Sequence, residues 1–209
     1  MNNDFFYSKN NHVPSSGKSS IIKERLGLVS TYMAKQYNEY QLSNQNTNII
    51  FSNILNLGYE VVEILKKEFE SKDINPNGIS FTTDSDKSVG ILRILWHSIS
   101  FTTRGNLKPQ ALYRQDDAPM FCGRIIALNG DFKSASIDAG NLEFPEILNC
   151  EMASLYIPAH KDKDAIMKIK HIGNIEYKVN QTNAAREFLL KVIEIICGGG
   201  FYHEENFSE

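Results

Sequence analysis

Cysteine is scarce in this sequence, and its arrangement excludes a disulfide scaffold. Cys122, Cys150 and Cys197 are odd in number and widely spaced, whereas a disulfide framework needs pairs and a zinc or redox site usually opens with a C-x-x-C unit. Long apolar runs are also missing, since none approaches the ~20 residues that cross a bilayer. Neither sign of charge is in excess. Lys and Arg number 22, Asp and Glu 25, and the net charge is −3, so no field draws the chain to nucleic acid or an anionic membrane. The opening residues, Met1-Asn2-Asn3-Asp4-Phe5-Phe6-Tyr7, lack the basic region and apolar run of a secretory signal. A cytoplasmic location is expected, with no transmembrane segment.

Ordinary globular usage is what remains: 209 residues, 42% hydrophobic and 22% charged, enough for one sizeable core. Residues 1–18 are rich in Asn, Ser and Lys, show no helical or strand period, and are expected to form a flexible N-terminal arm. A single α+β domain is expected over 19–200, and an acidic tail over 201–209. From Ser20, Ile22, Leu26, Val29, Met33, Tyr37 and Tyr40 recur at three- and four-residue steps, an amphipathic helix. A second helix is expected to start after Thr47 or Asn48, with Ile50, Ile54, Leu57, Val61, Leu65 and Phe69 as its stripe. Gly58 inside it points to the close approach of another backbone. Asp73 to Gly78 stops the helix.

The middle of the chain reads as strands. Ile79-Ser80-Phe81-Thr82-Thr83 returns as Ile99-Ser100-Phe101-Thr102-Thr103, both alternating and rich in β-formers. Periodicity leaves residues 86–97 open between helix and strand. Phe121–Leu128 and Phe132–Asp138 flank Asn129-Gly130, a strong hairpin signal. Met152–Ile157 is a strand closed by Pro158. In 165–180 a three-residue loop, Ile172-Gly173-Asn174, would pair His171 with Ile175, Ile169 with Tyr177 and Met167 with Val179. That register gathers the apolar side chains on one face and leaves Lys168, Lys170, Glu176 and Lys178 on the other. The last helix follows Thr182 as cap, with Ala185, Phe188, Leu189, Val192, Ile193 and Ile196 facing inward, and ends at Gly198-Gly199-Gly200. The fold class is therefore α+β: two N-terminal helices, a mainly antiparallel sheet of five to seven strands built from hairpins, and a C-terminal helix packed on it.

Catalytic signals are weak. Gly17-Lys18-Ser19 imitates the end of a phosphate-binding loop, but the required glycine five residues earlier is His12 and no buried strand leads in. His12, His97, His160, His171 and His203 stand nowhere at metal-ligand spacing. No metal, cofactor or catalytic residue is expected. The aromatic residues at the two ends, Phe5, Phe6, Tyr7, Phe201 and Tyr202, lie outside any periodic element and are the candidate partner-binding residues.

Two resemblances bear on function. Ser154-Leu155-Tyr156-Ile157-Pro158, the 165–179 hairpin and the helix from Thr182 resemble the closing half of a GAF-type sensor domain. That resemblance implies a small-ligand pocket, here near Trp96, His97 and Tyr113. The inventory as a whole also looks like the small acidic α+β adaptors and chaperones of bacterial secretion systems, which hold partners on an exposed helix or sheet face. The expected function is a non-enzymatic protein-binding adaptor or chaperone-like protein, with another protein or a further copy of itself as partner. The alternative is a GAF-like ligand sensor, and an enzyme of unrecognised class is third.

Overall fold

The computed structural model describes residues 15–107, 121–132, 149–170 and 175–198. Its first element is one α-helix, α1, Ser15–Glu70, rather than the two expected. The chain divides into two compact units between Asn38 and Glu39, inside α1. No proline interrupts the sequence from 15 to 75, and the stretch 41–48, which holds the expected start of the second helix at Thr47 or Asn48, is helical throughout. Its hydroxyls turn inward: Ser43 Oγ donates to the Tyr40 carbonyl at 3.0 Å and Thr47 Oγ1 to that of Ser43 at 2.6 Å. Asn46 donates its amide to the carbonyls of Pro158 and Ala159. Residues that usually cap helices are here bonded in ways a helix interior tolerates.

After a single 3₁₀ turn at Pro76–Gly78 the chain folds as an antiparallel meander. Its strands are β1 (Ile79–Thr83), β2 (Val89–Ile94), β3 (His97–Leu107), β4 (Cys122–Asn129), β5 (Glu151–Pro158), β6 (Ala165–Ile169) and β7 (Ile175–Val179), hydrogen-bonded in chain order. The final helix, α2, spans Ala184–Cys197. The repeated pentapeptides flank β2, one on each side, so residues 89–94 are strand.

Three local expectations are corrected. First, both sides of β4 are taken, by β3 and β5, so no hairpin closes on it at Asn129-Gly130. Gly130 instead continues along β3, donating its amide to the Ser98 carbonyl; the second expected strand, 133–138, lies outside the described residues. Second, the β6–β7 register is Ile169↔Ile175, Met167↔Tyr177 and Ala165↔Val179, two residues from the expected pairing. Five residues rather than three therefore separate β6 from β7. Third, α2 has Asn183 rather than Thr182 at its N-cap, without a side-chain cap bond.

One face of the sheet carries the main core. Leu92, Phe101, Ile125, Leu155 and Met167 point to the same side as Ile50, Ile54 and Val62 of α1 and Phe188, Leu189 and Val192 of α2. Phe188 and Phe101 meet edge to face at 6.3 Å. Gly58 serves a side chain and not a backbone: an added Cβ would lie 2.5 Å from the Phe81 ring, and Gly90 accommodates the same ring from the sheet. The other face is apolar at two places, Val89, Ile91, Ile126 and Leu128 in one cluster and Cys122, Tyr156 and Ile166 in another. No helix among the described residues is long and apolar enough to cross a membrane.

Candidate protein-interaction surfaces

In the unit that ends at Asn38, the amphipathic pattern leaves its apolar side exposed among the described residues. Ile22, Leu26, Val29, Met33 and Tyr37 form the stripe, and Ile21, Leu28 and Tyr32 widen it; all eight are between 54% and 69% exposed. Monomeric domains expose single large apolar residues routinely, but contiguous patches mark contact surfaces. Ile21, Leu28 and Tyr32 sit one position outside the three- and four-residue spacing, which is why the pattern alone missed them. In the unit that begins at Glu39, Tyr40 already has an edge-to-face contact with Phe121 at 6.0 Å.

The outer face of the sheet holds a buried charge network that no sequence signal announced. The Arg124 guanidinium donates to Glu151 and, at 3.1 Å, to the Ser154 hydroxyl. Ser154 in turn donates to Glu151, and Lys170 Nζ does so at 2.7 Å. Arg124 also lies over the Tyr156 ring, 5.6 Å from its centroid. Burial alone would raise the Glu151 carboxyl; the bonds from Lys170, Ser154 and Arg124, with the Arg124 charge, outweigh it and hold the group below the usual carboxylate range. Every charge here has a partner, and the bonds clamp β4 to β5 on this face.

A groove of about 500 Å³ runs between β7 and α2. Its apolar lining is Met167, Tyr177, Val179 and Leu190, and its charged lining Lys178, Glu187, Lys191 and Glu194. β7 is an edge of the sheet. Lys191 reaches over the Tyr177 ring at 5.5 Å, and Lys168 pairs with Glu176 at 3.2 Å. Much of the mixed-charge strand face is thus internally paired.

Of the residues singled out from the sequence, Phe5, Phe6, Tyr7, Tyr113, Phe201 and Tyr202 lie outside the described residues. Trp96 and His97 are at the β2–β3 turn, rings 5.7 Å apart. Trp96 is 82% exposed there. Leu95, before it, takes the left-handed conformation that a two-residue turn requires (φ 56°). No family model, curated protein or solved structure matches this chain.

Proposed function

We propose that this chain is a non-enzymatic, cytoplasmic protein-binding adaptor, similar in class to the adaptors of bacterial secretion systems, and that its binding face is the helical stripe of residues 21–37. One observation carries the reading: eight large apolar side chains on one segment are each more than half exposed. Burying a side chain of this size is worth about 1.5–3 kcal/mol. A short isolated helix is only marginally stable in water. Covering the stripe therefore removes a standing cost, and a protein surface of matching shape is the natural cover.

The test is capture from a lysate of the source organism with tagged full-length chain and with L26E/V29E, quantified by mass spectrometry. The reading expects a stoichiometric protein on the wild type, a further copy of the chain included, and its loss from the variant. Equal capture by both sinks it.

A second reading, a small-ligand sensor, is favoured by the β7–α2 groove, whose volume falls in the range of roughly 300–1,000 Å³ usual for ligand sites. A ligand there would raise the melting temperature of the wild type and not of Leu190→Arg. An unchanged melt across a metabolite panel speaks against it.

A further inference from the structure

We infer that the partner of this stripe is a second copy of the chain, paired with it antiparallel; the inference rests on reading the stripe as a protein-binding face. Ile22, Leu26, Val29 and Met33 advance by four, three and four residues, the 3.5-residue seam of a coiled coil. With the two-fold axis between Gly27 and Leu28, Ile22 meets Met33 of the second copy and Leu26 meets Val29. Symmetry repeats both pairs, so four successive layers close with apolar residues alone and no polar side chain enters a layer.

The flanks agree with the same register. Arg25 falls beside Tyr32 of the second copy, a cation on an aromatic face, and Lys23 falls beside Ser30; no like charges meet. All of these side chains are exposed in the single chain. A parallel pair would set Arg25 beside Ser30 and Tyr32 beside Tyr37, and would lose both cation–π contacts. The area also suffices. The four seam residues and Tyr32 are each more than half exposed; at roughly 100 Å² apiece they bury about 500 Å² per copy, or about 1,000 Å² in all, where specific interfaces begin. A foreign helix would have to supply this complement, whereas a second copy carries it already.

The experiment is sedimentation equilibrium of the full-length chain at tens of micromolar, beside L26E/V29E and the milder L26S/V29S. The expected result is twice the 23.7 kDa chain mass for the wild type and the single-chain mass for both variants. A wild type at 23.7 kDa overturns self-pairing. If L26E/V29E then still loses a captured protein, the adaptor reading stands alone; if it loses none, both fail. Orientation is read by spin labels on Asn38→Cys with Cys150 and Cys197 changed to serine. Antiparallel chains hold the labels roughly 30 Å or more apart along the axis at 1.5 Å per residue. Labels within about 20 Å, the width of two helices side by side, would overturn the register.

Discussion

Arg124 and Glu151 bond across β4 and β5 although their backbones are not opposite one another. Arg124 faces Tyr156 in the ladder, and Glu151 faces Leu128 beyond an irregularity between the Ala127 and Leu128 pairings. Strict alternation from Ala153 and Leu155, which face the helices, would send Glu151 to the helix side as well. The bulge turns it to the outer face, beside Arg124 and Ser154.

The Glu151 side chain is 1% exposed and that of Arg124 10%. Removing one charge from such a pair strands the other, at a cost of about 3–5 kcal/mol. Glu151→Gln is therefore expected to lower the urea midpoint sharply, and the R124M/E151L double variant to recover most of the loss. A Glu151→Gln melt superimposed on the wild type would show that the network contributes nothing.

The same group sets an acid limit. Its folded carboxyl titrates below the ordinary value, so it adds stability that is fully present above the unfolded value of about 4.3 and is lost as pH falls through the lower, folded one. Urea midpoints of the wild type are expected to fall on acidification below about pH 5, with a shallower slope for Glu151→Gln. Parallel slopes would contradict the assignment.

Gly58→Ala tests the seat of Phe81. On helix propensity alone the change would stabilise by about 1 kcal/mol. The new Cβ, however, would press on a ring already held at Gly90 and met edge-on by Tyr59 at 5.0 Å. Overpacking of this kind costs about 1–3 kcal/mol. A net loss of stability is expected, relieved by Phe81→Leu in the same chain; a raised midpoint would mean that the ring moves aside freely.

Phe188 is fully buried between α2 and the sheet. Phe188→Ala is expected to destabilise by about 3–5 kcal/mol in urea melts. An unchanged midpoint would contradict the packing of α2.

The sequence was most informative about which side of an element faces inward. Alternation put Met167 and Ile169 with Tyr177 and Val179 on the apolar face, and the observed register keeps that sorting. It could not fix the loop, because a slip of two residues changes every partner and no face. Continuity of α1 was illegible for a related reason: Ser43, Asn46 and Thr47 suit a cap or a back-bonded helix interior equally, and only the carbonyls of Pro158 and Ala159, over 110 residues away, decide for Asn46. Pairing of Arg124 with Glu151 depends on a bulge that leaves no mark in composition. The stripe from Ile22 to Tyr37 was legible as an apolar face, but periodicity does not say whether such a face is covered.

What covers it can be read directly by site-specific photo-crosslinking in the source organism. A photoreactive residue replaces Met33 in the stripe, or Thr31, which bonds back to the Gly27 carbonyl on the opposite side of the helix. The account expects a discrete protein adduct from position 33 and none from position 31. Equal labelling from both, or no adduct from position 33, would contradict the claim that this stripe is the protein-binding face.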